Sequence, residues 1–409
     1  MIMAMTEPAE RMLQLTAGGV TSPLGYRASG IHCGIKRNKP DLALLVSDLP
    51  AVAAGMFTTN LVQAAPVRYC KSALEHGVAR AIVVNSGNAN ACTGDEGEAH
   101  ALAMATGVAE LLGLPTHEVL VASTGVIGQP LPIDAIRGGI PAAIAALAPT
   151  GGDVAQAILT TDAFAKTGAV RFELGGVEVT IGGMAKGAGM IHPNMATMLA
   201  FVTTDAALAP AALDSALRQA VAVSFNSITV DGDTSTNDSV FLLANGAADG
   251  PLIDSGPELD VFTAALTLVC QDLARKIVRD GEGATRLVEI TIRGAASDAD
   301  AHQAAMTVAT SLLVKTMLWG GEPNWGRVLG ALGRAGVPLD PDEVTLHFGD
   351  VAVVRQGLGV PGVSAAAASA LSGSEVLLAI SLGSGPGQAT VWTCDLNEGY
   401  VNINGHYLT

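Results

Sequence analysis

Short apolar runs recur along the chain, separated by polar or glycine-rich turns. Strand-like runs in the first half are DLALLVS (41–47), ARAIVVNS (79–86), EVLVAST (118–124), VRFEL (170–174) and VEVTIGG (177–183). In the second half they are SVFLLAN (239–245), RLVEITIRG (286–294), EVTLHFG (343–349), VAVVRQ (351–356), EVLLAISLG (375–383) and QATVWTCD (388–395). RLVEITIR alternates apolar and polar residues, the period-two pattern of a half-exposed strand. Helix-like runs are interleaved at 97–113, 210–223, 257–280 and 297–314. In the third of these, Phe262, Leu266, Val269, Leu273 and Ile277 form one stripe at helical spacing. Pro257 near its start and Gly281 past its end punctuate it as helix boundaries do. FELGGVEV and LHFGDVAVV each place two strands across a short turn and predict antiparallel hairpins. The pattern predicts an α+β (mixed α/β) fold, with mixed sheets covered by helices.

No repeat, low-complexity tract or flexible linker interrupts this pattern. GGDVAQ (151–156) and NGAADGPLIDSGPE (245–258) are the best candidate loops or boundaries. With 409 residues, 49% hydrophobic and 15% charged, the chain can bury two or three domains or one large one. A net charge of −16 repels phosphate backbones and anionic lipid, so neither nucleic acid nor membrane is an expected partner. The two basic stretches, GIKRNKP (34–40) and LARKIVRD (273–280), read as solvated faces. No apolar run reaches spanning length, and MIMAMTEPAERM has no secretory-signal pattern. Five scattered cysteines without a C-x-x-C fit reduced thiols in a cytoplasm, and no clustered ligands predict a metal.

Several motifs lead away from the chemistry. GLGVPG (357–362) matches a dinucleotide loop, but too little chain follows to complete such a domain. A tight strand-to-helix turn suits it better. VDGDTSTND (230–238) fails as a calcium loop, because Thr236 stands where glycine is required and Leu242 where a glutamate is. It remains a polar turn that could shape a polar pocket. NSGNANACTGDEGE (85–98) presents backbone N–H groups between a strand and a helix. His192 has no carboxylate close in sequence and reads as a packed or rim histidine.

KGAGMIHPNMATMLAF (186–201) poses a sharper question, since it carries one lysine, one histidine and no acid. A hydroxyl needs a base to become a nucleophile. Cutting the peptide bond before a threonine supplies one, because the new α-amino group can deprotonate that residue's own hydroxyl. Its reference pKa of about 7.7–8.0 suits this work near neutral pH. Ala196–Thr197 is a suitable bond: alanine is small, Pro193 restricts the chain upstream, and MLAF can anchor the new terminus in a core. The residues alone equally allow Thr197 to open or cap a buried helix or strand.

The same stretch resembles the signature of the ornithine acetyltransferase family of arginine biosynthesis, also called glutamate N-acetyltransferase. NSGNANACTG (85–94), STGVIG (123–128), TTD (160–162), SFNSITVDGDTSTND (224–238), DGEGATR (280–286), EPNWGR (322–327) and YVNINGHYLT (400–409) resemble further family blocks in family order. Gly405 and Glu322 are small departures, and neither touches a group implied to be catalytic. The resemblance implies an αββα-type sandwich of the DmpA-like autoprocessing superfamily. It implies self-cleavage between Ala196 and Thr197, giving an α chain of 1–196 and an intertwined β chain of 197–409.

It also implies ping-pong transfer of acetyl from N-acetylornithine to glutamate through Thr197, without a cofactor and with acetyl-CoA as a further candidate donor. Thr124 and Gly125 match the oxyanion-hole pair, whose donors contribute roughly 3–4 kcal/mol each. Thr160, Lys186, Thr197, Glu282, Asn404 and Thr409 match substrate-binding positions, the last two from a C-terminal strand. Lys186 suits a substrate carboxylate and Glu282 the distal ammonium of ornithine. A heterotetramer of two α and two β chains is the implied assembly. A related Thr- or Ser-nucleophile amidohydrolase or aminopeptidase using water as acceptor is the competing reading, and a binding module without activity a third.

Overall fold

The computed structural model describes residues 13–192 and 198–406, so Ala196, Thr197 and Thr409 lie outside the described residues. Strands β1 (Leu15–Thr16) and β2 (Tyr26–Ile31) precede the long β3 (Leu42–Phe57). Helix α1 (Ala65–Ala73) leads to β4 (Val78–Asn88), α2 (Gly94–Leu112) and β5 (Val119–Val126). Next come α3 (Ile133–Ala145), the single turn α4 (Val154–Ala157), and strands β6 (Lys166–Leu174), β7 (Val177–Lys186) and β8 (Leu199–Thr204). Helix α5 (Pro210–Ala222), β9 (Ser239–Ala244) and α6 (Pro257–Arg279) follow. A second set comprises β10 (Leu287–Ala295), α7 (Asp298–Ala309), α8 (Leu312–Gly320) and α9 (Trp325–Leu332). It continues with β11 (Thr345–Phe348), β12 (Val351–Arg355), β13 (Leu358–Gly359) and α10 (Ser364–Ala370). Strands β14 (Glu375–Ser381) and β15 (Gly387–Cys394) and helix α11 (Glu398–Asn404) complete it.

The strands form two mixed sheets. The first has nine strands in the order β1-β6-β7-β8-β9-β3-β4-β5, with β2 also on β3. Its β8–β9 and β4–β5 pairs are parallel. The second has six strands in the order β13-β12-β11-β14-β10-β15. Both predicted hairpins form, as β6–β7 and β11–β12. Strand β10 lies in the second sheet between β14 and β15, and Val288, Ile290 and Ile292 face its core while Glu289 and Thr291 are half-buried.

Helix α6 buries Phe262, Leu266, Val269, Leu273 and Ile277 completely, against α5 and one face of the first sheet. Burying one such side chain contributes about 1.5–3 kcal/mol. A separate core holds Ile82, Val83, Met104, Val108 and Ile140, with the neighbours Ile82 and Val83 entering it from opposite faces of β4. Strand β8 and the residue before it feed both cores: Met198, Ala200 and Val202 enter the first, Leu199 and Phe201 the second. That explains why its sequence is apolar without alternation.

The predicted helix over 297–314 divides into α7 and α8, because the Ser311 hydroxyl accepts from the Val314 N–H and caps a new helix. GLGVPG holds β13 and the turn into α10, as a strand-to-helix connection. The GGDVAQ stretch is partly helical, in α4. The C-terminal segment is helical where a strand is implied: the Asn397 side chain accepts from Gly399 N–H, caps α11, and puts Asn404 at its last turn.

Candidate active site

The ends of β7 and β5 meet although four strands separate them in the sheet order. The sheet therefore bends sharply, and its bulges show where. Strand β3 shifts register between Val46 and Ala51, and β4 against β5 near Gly87 and Asn88. Gly125 adopts φ 134°, and a Cβ there would lie 2.3 Å from the Gly87 carbonyl carbon. Only glycine allows this approach. Thr124 and Gly125 thus belong to the end of β5 itself rather than to a turn beyond it. Asn237 straps the bulge in place, donating to Ala89 O (2.6 Å) and Ser123 O (2.9 Å). The Ser123 hydroxyl in turn donates to Asn85 Oδ1 at 2.6 Å.

Lys186 ends β7, opposite Leu199 of β8. Its ammonium donates to Thr160 Oγ1 at 2.8 Å and Thr124 Oγ1 at 3.2 Å, with the side chain only 3% exposed. Burial lowers its pKa below the usual lysine range, while Asp162 opposes that shift. Asp162 accepts from Gly187 N–H (2.6 Å), Thr160 N–H (3.0 Å) and the Lys166 ammonium (2.7 Å). Lys166 also pairs with Asp280 at 2.5 Å. Although burial opposes it, the Lys186 and Lys166 ammoniums hold the Asp162 carboxyl well below its ordinary range.

Two aspartates of the 224–238 block hold the segment around the predicted cut. Asp231 accepts from Met190 N–H (2.6 Å) and Ile191 N–H (2.9 Å). Met190 sits at φ 56°, in the left-handed region that a non-glycine residue enters at a cost of about 1–3 kcal/mol. On the other side Asp238 Oδ1 accepts from Met198 N–H at 3.0 Å. Among the described residues, its buried Oδ2 has no hydrogen-bond partner within bonding distance. Burial drives the Asp238 pKa well up, and the nearby Ser235 hydroxyl and Lys186 ammonium only partly offset this. His192 bonds Thr229 Oγ1 at 3.2 Å and has no carboxylate partner among the described residues.

Thr124, Gly125, Thr160, Lys186, Glu282 and Asn404 all line one cavity of about 220 Å³. They arrive from β5, the loop before β6, the end of β7, the loop after α6, and α11. Asn404 donates to Glu282 Oε2 at 2.7 Å. Gly189 leaves room for that glutamate, since a Cβ would stand 2.5 Å from its carboxylate. The cavity walls also contain Asp231, Asp233, Asn237 and Tyr400. No single one of these four had been picked from the sequence, although three stand in the polar block read there as a pocket former. Tyr400 donates to Asp231 Oδ2 at 3.3 Å, and burial followed by Asp231 raises its pKa well above the ordinary value. Three carboxylates and one ammonium at the walls suit a small zwitterion carrying a second cation.

A model of the ArgJ family matches residues 27–409. The chain is 54% identical over 402 residues to the arginine biosynthesis bifunctional protein ArgJ of Symbiobacterium thermophilum, covering 97% of this chain and 100% of that one. It is 50% identical over 409 residues to the protein of the same name from a Synechococcus species, covering 97% and 99%. Among solved structures, the crystal structure of ArgJ from Bacillus halodurans is similar at 39% identity and a TM-score of 0.50, covering 51% of this chain and 98% of that chain. The chain belongs to the ArgJ family.

Proposed function

We propose that the chain is an acetyltransferase of arginine biosynthesis that cuts itself between Ala196 and Thr197 and then carries acetyl on Thr197. The observation that carries this reading is the meeting of the six residues at one cavity, beside β8, which is preceded by buried Met198, the residue directly after Thr197. The relatives' shared name, an arginine biosynthesis bifunctional protein, supports the pathway. The Bacillus halodurans chain, matched over 98% of its length by 51% of this one, has the size expected of one fragment.

The Thr197 hydroxyl attacks the Ala196 carbonyl, the peptide nitrogen leaves as an amine, and water hydrolyses the resulting ester. The freed α-amino group then takes the Thr197 hydroxyl proton as that oxygen attacks the acetyl carbon of N-acetylornithine. The developing oxyanion meets the Thr124 hydroxyl and the Gly125 N–H. Its collapse returns the proton to the ornithine nitrogen and leaves acetyl-Thr197. The glutamate α-amine attacks this ester and departs as N-acetylglutamate. Acetyl-CoA can load the same threonine as a thioester donor. Glu282, beside Asp231 and Asp233, receives the distal ammonium of ornithine, while Asn404 and Thr409 complete the substrate contacts.

After the cut, β8 and β9 of the β chain still lie between β7 and β3 of the α chain. The fragments therefore stay joined by sheet hydrogen bonds, and we assign them to a heterotetramer of two α and two β chains acting in the cytoplasm. No resident cofactor is needed for this chemistry. Incubation of N-acetylornithine with glutamate tests the reaction. It should yield ornithine and N-acetylglutamate in equal amounts, whereas release of free acetate alone would make the protein an amidohydrolase. Repeating it with acetyl-CoA in place of N-acetylornithine tests the second donor.

A further inference from the structure

Lys186 is assigned to a substrate carboxylate by resemblance, yet its ammonium is already engaged inside the protein. An ammonium only donates, so the Thr124 and Thr160 oxygens must be the acceptors in their contacts with it. Each hydroxyl hydrogen is then directed elsewhere, and both threonines line the cavity. Behind the ammonium, Asp162 Oδ2 lies 3.9 Å away, and the Asp162 carboxylate is fixed by two backbone N–H groups and Lys166. The order of contacts runs Asp280, Lys166, Asp162, Lys186, Thr124, and ends at the cavity wall.

We propose that Lys186 and Asp162 are positioning residues of the oxyanion hole: Asp162 fixes the Lys186 ammonium, and Lys186 turns the Thr124 hydroxyl hydrogen toward the cavity with a positive charge behind it. This rests on the acyl-transfer reading above and adds to it a role exerted through Thr124. The same hole would serve both the self-cleavage and the acetyl transfer, since each passes through an oxyanion.

The arrangement has a pH signature. Lys186 is faced by Asp162 from the loop before β6, Asp238 from the loop before β9 and Glu282 from the loop after α6, all of which keep it charged. Lys166 of β6 and Lys36 of the 32–41 loop act the other way. Burial already lowers its pKa, so the active charged form is lost as pH rises, and removing Asp162 moves that loss to lower pH.

The test uses full-length Lys186→Gln and Asp162→Asn beside the wild type, with self-cleavage followed by mass spectrometry and acetyl transfer followed from about pH 6 to 10. Lys186→Gln should slow cleavage, lower kcat about 100-fold with KM within about threefold, and remove the alkaline fall. Asp162→Asn should lower kcat about tenfold and move the fall down by about one pH unit. A Lys186→Gln enzyme that cleaves normally, keeps its kcat and loses only KM would overturn the proposal, as would Asp162→Asn with an unmoved alkaline fall. If Asp162→Asn fails to fold, Lys186→Gln decides alone, because it leaves Asp162 bonded to Lys166. An uncleaved Lys186→Gln that melts with uncleaved Thr197→Ala supports the proposal. One that melts more than about 10 °C lower makes Lys186 structural and refutes it. A wild type without acetyl transfer at any pH refutes the acyl-transfer reading itself, which separates the two failures.

Discussion

Among the described residues Lys166, Lys186 and Lys315 are buried, and the first and last differ in what they touch. Lys166 lies between the Asp162 and Asp280 carboxylates, and its network reaches the cavity through Lys186 and Thr124. Lys315, on α8, reaches β15 and is held by the Thr393 hydroxyl at 3.0 Å and by the Cys394 carbonyl. Lys315 closes a helix onto a sheet, and its contacts end in the core. The lesson is that a buried cation marks a site by its connections and not by its burial. The first sheet directs paired charges to the bent strand ends at the cavity. The second buries Val288, Ile292, Leu346, Phe348 and Leu378 in an almost wholly apolar core.

The contrast can be broken by mutation. The largest effect is expected at Thr197→Ala, which should leave one uncleaved chain and lower acetyl transfer at least about 10³-fold. Lys166→Met comes next. It removes the cation that bridges the Asp162 and Asp280 carboxylates and should cost about 3–5 kcal/mol, read by urea denaturation, with a loss of transfer. Asp238→Ala strips the buried Met198 N–H of its acceptor and should cost about 1–3 kcal/mol while slowing cleavage. Asp238→Asn keeps an acceptor there and should recover most of both, by melting and by a mass-spectrometric time course. Lys315→Met, which removes a cation held by neutral oxygens, should change stability by about 1.5 kcal/mol or less and leave turnover within about threefold. A turnover loss at Lys315 equal to that at Lys166 would erase the distinction.

Much of this was legible in the sequence, for identifiable reasons. Helix α6 was clear because its stripe and its boundaries agree, and the hairpins because a two-residue turn joins like strands. Strand β8 was harder: buried on both faces, it lacks the alternation that marks an exposed strand, and MLAF could be read only as a core anchor. Helices α1 and α3 escaped because α1 is only nine residues long and α3 carries Gly138, Gly139 and Pro141, residues that argue against a helix interior. In the site, Thr124, Gly125, Thr160, Lys186, Glu282 and Asn404 came from resemblance, and the fold brings them to one cavity. The roles of Asp162, Asp231 and Asp238 came only from contacts spanning 25 to 41 residues, which spacing does not encode. The strand implied at Asn404 became a helix because Asn397 caps one there.

The central claim is that Thr197 becomes a chain terminus. Mass spectrometry of the purified, active wild-type protein under denaturing conditions tests it most directly. The account predicts two fragments, one ending at Ala196 and one beginning at Thr197. A single intact chain of 41.3 kDa in a preparation that transfers acetyl would contradict it.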